Sequence, residues 1–229
     1  MAQRINYNTI INKYKAQGKG NVRLTRSTLY LSKPISTSST TYSFDVLETQ
    51  NSTLAPNELR LNLNDEMIIT ELGVYIECLV TDKTNSVNYG TKLLPYAPTQ
   101  LKSTFAGLTS FWNGALQVSV NNIIYLDKFD TAKCQVVPRT QDNPASAATT
   151  ILNAVTGSSN FGIDGMIKIE PMLTLSGAKK NNIILSLPSA ITAPSTDIVC
   201  DSGTITLTAQ RVVFIARGLN AMNGASFQS

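Results

Sequence analysis

Apolar residues recur at every second position through most of this chain, which is the mark of strands with one buried face. The clearest alternation is Glu58-Leu59-Arg60-Leu61-Asn62-Leu63, with the three leucines on one side and the polar residues on the other. A long strand is expected from Met67 to Val80, with Leu72, Val74, Ile76, Cys78 and Val80 sharing a face and Glu71 and Glu77 on the solvent side. Further strands are predicted at Thr28 to Leu31, Tyr42 to Leu47, Leu116 to Val120, Ile123 to Leu126, Cys134 to Val137, Met166 to Leu175, Ile183 to Leu187 and about Thr204 to Gly218. Turn-formers separate them: Ser36 to Thr40, Asn51 to Asn57, the pair Asn121-Asn122, Ser176 to Asn181, and Pro188. Asn tolerates positive φ best after Gly, so Asn121-Asn122 reads as a hairpin turn.

Two segments break the period. In residues 1 to 21, Tyr7, Ile10, Ile11 and Tyr14 stand three and four apart, one face of a short helix that Gly18-Lys19-Gly20 ends. Such a helix is marginal alone and needs a surface to lie against. A second short helix is expected over Ser103 to Asn113, with Ser103 as N-cap, Phe105, Leu108, Phe111 and Trp112 on its apolar side, and Gly114 ending it. Long polar connections are expected at Thr81 to Lys102, which holds Pro95 and Pro98, at Gln141 to Gly165, and around Pro194. Helix and strand do not alternate, so a parallel α/β sheet is excluded. The pattern predicts an all-β fold: an antiparallel β-sandwich of jelly-roll type over residues 22–229, preceded by a basic arm over residues 1–21 and holding one or two short helices.

Composition supports a packed core, since 42% of the 229 residues are hydrophobic. Only 15% are charged, against about 25% in ordinary domains, and Asn, Thr and Ser supply the remaining polarity. The net charge of +4 is unevenly spread. Arg4, Lys13, Lys15, Lys19, Arg23, Arg26 and Lys33 all precede the first acid, Asp45, leaving a net of −3 for the rest. Cys78, Cys134 and Cys200 form no C-x-x-C pair and read as buried free thiols. No apolar run approaches the ~20 residues of a membrane span, and Met1 to Gly20 lacks the apolar core of a signal peptide, so synthesis and retention in a cytoplasm are expected and the sequon Asn51-Ser52-Thr53 reads as a turn.

Histidine is absent, which removes Ser-His-Asp and Cys-His nucleophilic systems and imidazole bases. Asp65-Glu66 read as turn residues, and Glu71 and Glu77 stand ~20 Å apart by strand rise, too far for a glycosidase pair. Asp127-x-x-Asp130 offers too few oxygens for calcium. Ser176-Gly177-Ala178-Lys179 matches S-x-x-K without its companion motifs, and Gly18-Lys19-Gly20 is too short to cradle phosphate. No catalytic residue, cofactor, metal or small-molecule substrate is therefore expected. The arm is the chemical feature that remains. Arg4, Lys13, Lys15, Lys19, Arg23 and Arg26 suit sequence-independent phosphate contact, while Tyr7, Ile10, Ile11 and Tyr14 suit docking on a neighbouring subunit.

Three segments together, ELRLNLNDEMIITELGVYIECLV (58–80), FWNGALQVSVNNIIYLDKFDTAKCQVVPRTQ (111–141) and RVVFIARGLN (211–220), resemble virion structural proteins of bacteriophages, with jelly-roll coats the nearest comparison. That resemblance implies a capsid subunit, or a ring, vertex or connector protein, made in the host cytoplasm and located in the virion. It implies partners among its own copies and other virion proteins, non-specific nucleic acid through the arm, and leaves contact with a membrane open. The alternative is a carbohydrate- or receptor-binding sandwich, an adhesin or spike, using Tyr75, Tyr89, Tyr96, Trp112 and Tyr125 as stacking platforms.

Overall fold

The computed structural model describes residues 7–19, 21–48, 54, 57–84, 86–94, 107–136, 165–192, 198–200 and 203–225. Two long strands organise them. β3 (Glu66–Asp82) carries Leu72, Val74, Ile76, Cys78 and Val80 at alternate positions, each at most 1% exposed. β10 (Gly203–Met222) lies antiparallel to it and sets Ala216 opposite Leu72, Phe214 opposite Val74 and Val212 opposite Ile76. These six side chains turn inward to the same core.

β1 (Arg23–Pro34) runs along the far edge of β10, and β9 (Ile198–Cys200) pairs with the start of β10. β4 (Val87–Leu94) and β7 (Ile167–Ser176) share the other edge of β3, β4 on its second half and β7 on its first. Facing this six-stranded sheet is a four-stranded one in the order β2 (Thr41–Phe44), β8 (Asn181–Ser186), β5 (Ala115–Val120), β6 (Ile123–Asp130). All the paired strands are antiparallel, and the core fills the space between the sheets, so the fold is an all-β sandwich.

Two short helices complete the described body. α1 (Tyr7–Ala16) ends as the sequence predicts, with Gly18 left-handed at φ 76°. Lys19 N donates to Tyr14 O and Gly18 N to Lys15 O, the paired bonds that close a helix on glycine. α2 spans only Leu108–Phe111 and starts at left-handed Gly107. Ser103 and Phe105, the expected cap and first apolar residue, lie outside the described residues, while Leu108, Phe111 and Trp112 are buried as expected. Among the described residues no helix is long and apolar enough to cross a membrane.

Several elements depart from the pattern. Part of the connection expected over Thr81 to Lys102 is β4, in which Asn88 and Thr91 are exposed and Gly90 is left-handed at φ 76°. Cys134 ends a 3-10 turn (Thr131–Cys134) and does not begin a strand; Asp130 caps that turn by accepting from Ala132 N. Glu58 to Leu63 is no regular strand. Leu59 makes one bridge to Tyr30 and Leu61 one to Leu47, so the segment serves two different neighbours and turns between them. Leu61 is buried, whereas Leu59 and Leu63 are 51% and 54% exposed. Glu58 and Arg60 face inward as an ion pair at 2.9 Å, their charges satisfying each other where the pattern expected leucine. Glu77 is buried, not solvent-facing, because Tyr30 and Leu93 stand on either side of it on the outer face of the sheet. The connection Gln141 to Gly165 and the loop at Pro194 fall almost wholly outside the described residues.

Cys78 and Cys134 are buried free thiols. Burial pushes Cys134 from an ordinary 9.0 up to about 11, against a backbone hydrogen bond from Val74 that lowers it. At Gly218 the β10 backbone passes so close to β3 that a Cβ would stand 1.8 Å from the Ile68 carbonyl oxygen. The contact coincides with a bulge in the register between Arg217 and Gly218. Gly218→Ala is therefore expected to lower unfolding stability by about 1–3 kcal/mol in a urea titration, the cost of forcing an extra carbon into a filled site. An unchanged midpoint would contradict this close approach.

Candidate interaction surface

The residues singled out in the arm separate into two groups once α1 is in place. Ile10 and Tyr14 face inward and pack with Ile68, Leu219 and Ala221 on the outer side of the six-stranded sheet, flanked by Val22 and Leu24. Tyr14 is 1% exposed and its hydroxyl donates to Glu66 Oε2 at 2.8 Å. Burial first, and then that bond, push the Tyr14 hydroxyl well above its ordinary range. Ile11 is half-buried, and Tyr7 is exposed, accepting from Arg26 Nε at 3.2 Å. The sequence expects this face to dock on a neighbouring subunit. In the structure Ile10 and Tyr14 are covered by their own chain.

Lys13, Lys15, Arg23 and Arg26 remain exposed at this corner. Lys19 is half-buried; its ammonium donates to the Gly224 carbonyl and lies 6.0 Å from the centre of the Tyr14 ring. Arg4 lies outside the described residues. Lys13 and Lys15 thus stand on the exposed side of α1, whose other side is the apolar seat, and Arg23 and Arg26 on the adjoining start of β1.

Sheet order sets what the rest of the surface offers. β1 and β2 flank one side of the sandwich, and that side is closed. Leu59 exchanges both backbone hydrogen bonds with Tyr30 along the β1 edge, and Leu61 N donates to Val46 O. The charges gather there too, with Lys33 2.5 Å from Asp45 and Arg60 between Asp45 and Glu58.

The opposite side, flanked by β6 and β7, is built differently. β6 carries Ile123, Ile124 and Tyr125 at 59%, 53% and 56% exposure, three large apolar side chains in a row. One register shift against β5 falls at Tyr125 and a second between Leu126 and Phe129, the two residues that pack against the core. Lys128, in the second of these bulges, is left-handed at φ 47°. In β7 the pairing with β3 lapses opposite Thr70, between Leu173 and Lys168, where Pro171 and the exposed Met172 lie. Bulges and an edge proline obstruct the addition of another strand. The side therefore presents apolar side chains on edges that resist sheet extension, a surface suited to packing against a folded partner.

The patch continues to the end of the sandwich that holds α1. Left-handed Asn121 and Asn122 form the β5–β6 turn as the sequence predicts, and Asn121 exchanges hydrogen bonds with Lys180 of the β7–β8 turn. Gly177 in that turn sits against the backbone of Asn62 and Leu63, so exposed Leu63 and Ile123 belong to one rim that also carries exposed Lys179 and Lys180.

Other candidate residues are engaged in the fold. Asp65 accepts from Asn223 N and Asn220 Nδ2, and Asp127 accepts from Gln117 Nε2 at 3.1 Å. Among the described residues no group of three acidic, Cys or His side chains gathers as a metal site. Of the proposed stacking platforms, Tyr75 is 5% exposed and Trp112, edge-on to Phe111, is 1% exposed, which removes both from that role. Tyr125 is exposed, Tyr96 lies outside the described residues, and the side chain of Tyr89 is not described.

Removing the seat of the helix tests its docking. Tyr14→Ala should cost about 3 kcal/mol locally, as for other large aromatic truncations. Amides of residues 7–16 should lose exchange protection while those of β3 and β10 keep theirs; unchanged protection in α1 would contradict the docked helix. Set against known proteins, the chain matches no family model, no curated protein and no solved structure.

Proposed function

We propose that this chain is a non-catalytic structural subunit that assembles with its own copies into a virion shell, and that its sandwich follows the jelly-roll plan. The observation that carries this is the nesting of its strands. With β4 and β9 set aside as additions to the edges of β3 and β10, the remaining eight pair first with last: β1 with β10, β2 with β8, β3 with β7, and β5 with β6. Successive pairs fall in alternate sheets. A ribbon of nested antiparallel pairs rolled in this way supports the jelly-roll assignment, an architecture used by viral coats as well as by lectins.

The distribution of surface character supports assembly. One side of the sandwich is closed by chain and charge, and the other presents Ile123, Ile124, Tyr125 and Met172. Repeated symmetric contacts need a patch of this kind on every copy. Ile10 and Tyr14 are already used within the chain, so the contacts between copies fall to the β6–β7 side, while Lys13, Lys15, Arg23 and Arg26 face outward for phosphate. The virion setting itself rests on the resemblance of the three segments named above.

Light scattering coupled to size-exclusion chromatography tests this. The wild-type chain should elute as a closed multimer whose mass is a multiple of 24.8 kDa. The double substitution Ile124→Lys with Tyr125→Lys, at exposed positions where stability should change by roughly 0.5 kcal/mol or less per site, should give monomer. A wild-type monomer at the highest attainable concentration would overturn the proposal.

A further inference from the structure

We propose that a cleft on the outer face of the six-stranded sheet, beside Glu77, is a binding site for an alkylammonium or guanidinium group. Binding of a cation there does not depend on the assembly reading; only a neighbouring copy as its source does. Tyr30 of β1, Glu77 of β3, Thr91 and Leu93 of β4, and Asn57 line a cleft of about 560 Å³. Glu77 is 5% exposed, so its carboxylate is largely removed from water while its side chain lines the cleft.

The partners of that carboxylate are unevenly placed. Among the described residues, both of its hydrogen bonds fall on Oε2, one from the Tyr30 hydroxyl and one from Asn57 Nδ2 at 3.5 Å. Both donors are neutral. Burial first, then the bond to Glu77, push the Tyr30 hydroxyl well above its ordinary range, so it stays a neutral donor at physiological pH. The cation directly across the strand pair is Arg211, but its Nη1 donates to Ser32 Oγ at 3.2 Å, and no ion pair joins it to Glu77 among the described residues.

A buried carboxylate is costly unless its charge is matched. Its two hydrogen-bond donors are neutral, and among the described residues Arg211, near enough to act on the Tyr30 hydroxyl, offers charge at a distance and no direct ion pair. The ring of Tyr30 and the side chain of Leu93, both in the apolar cluster with Tyr75, Val213 and Ile215, form a wall that an aliphatic stem can cover. A cationic tip beside Glu77 Oε1, near an aromatic ring, then gains both the ion pair and a cation–π contact. A sugar offers donors without charge, and a metal ion needs more oxygens than one carboxylate supplies. The cation has two sources, a free amine or a Lys or Arg side chain of a neighbouring copy.

The test is an NMR titration of the full chain with butylammonium chloride, with butanol and methyl glucoside as neutral probes. Saturable shifts at residues 30, 57, 77, 91 and 93 are expected, with a Kd on the order of 1 mM that weakens with salt. Glu77→Gln, which keeps an acceptor for Tyr30, should weaken binding at least ~10-fold, the equivalent of 1.4 kcal/mol. Thr91→Arg, which supplies a tethered cation from the cleft wall, should raise Tm and abolish the titration, and it decides the matter if Glu77→Gln fails to fold. Equal binding of butanol or methyl glucoside, undiminished binding by Glu77→Gln, or no saturable response in the wild type would overturn the site. If butylammonium also dissociates multimers, the cation comes from a neighbouring copy; if multimers persist while the cleft fills, it is a free amine.

Discussion

The antiparallel register between β3 and β10 holds the other elements in place. It puts eight apolar side chains, from Leu72 to Val80 on one strand and from Val212 to Ala216 on the other, on one face with no more than 1% exposure. Burial at about 25 cal/mol per Å² makes such a strip the dominant favourable contribution in this sheet. Strands of 17 and 20 residues are also long enough to take two partners each along their free edges. β1 and β9 lie against β10, and β7 and β4 against β3, so four connections take their geometry from one pairing. Where the two backbones come closest, at Gly218, a side chain has no room, and the bulge there, with Thr70 as the extra residue of β3, lets both Ile69 and Leu72 face the core.

From the same spine follows the division of the surface. The outer face of the large sheet carries two further apolar clusters. One is sealed by α1 through Ile10 and Tyr14, and the other holds Tyr30, Tyr75, Leu93, Val213 and Ile215 around the Glu77 cleft. One lateral side is stitched shut by the Leu59 and Leu61 bridges, and the other keeps its apolar side chains outward on interrupted strands. A monomer gains nothing from Ile123, Ile124 and Tyr125 in water, and this asymmetry is the physical ground for assigning contacts between copies to the β6–β7 side.

Most of the framework was legible in the sequence wherever a strand meets one core. Leu72 to Val80, Leu116 to Val120 and Ile183 to Leu187 alternate because each sets one face of one sheet against the core, and the Asn121-Asn122 turn follows from backbone sterics alone. α1 was legible for the same local reason, in apolar spacing followed by glycine. What misled was alternation without a sheet. Glu58 to Leu63 has the pattern of a half-buried strand, but its partners lie on two different elements, so that Leu61 is buried, Leu59 and Leu63 are exposed, and Glu58 and Arg60 turn inward as an ion pair. β4 was hidden because a short edge strand holding Asn88, Gly90 and Thr91 looks like a loop. Burial of Glu77 was equally out of reach, since it depends on Tyr30 and Leu93 arriving from strands distant in the chain. The exposed run on β6 includes a bulge at Tyr125, which leaves no local signature.

Hydrogen exchange on assembled against dissociated chain tests most directly the proposed meeting of copies through the β6–β7 side. Added protection confined mainly to residues 121–130 and 167–176 is the predicted result. Protection that appears only on α1 or along the β1 edge, with the β6–β7 side unchanged, would contradict it.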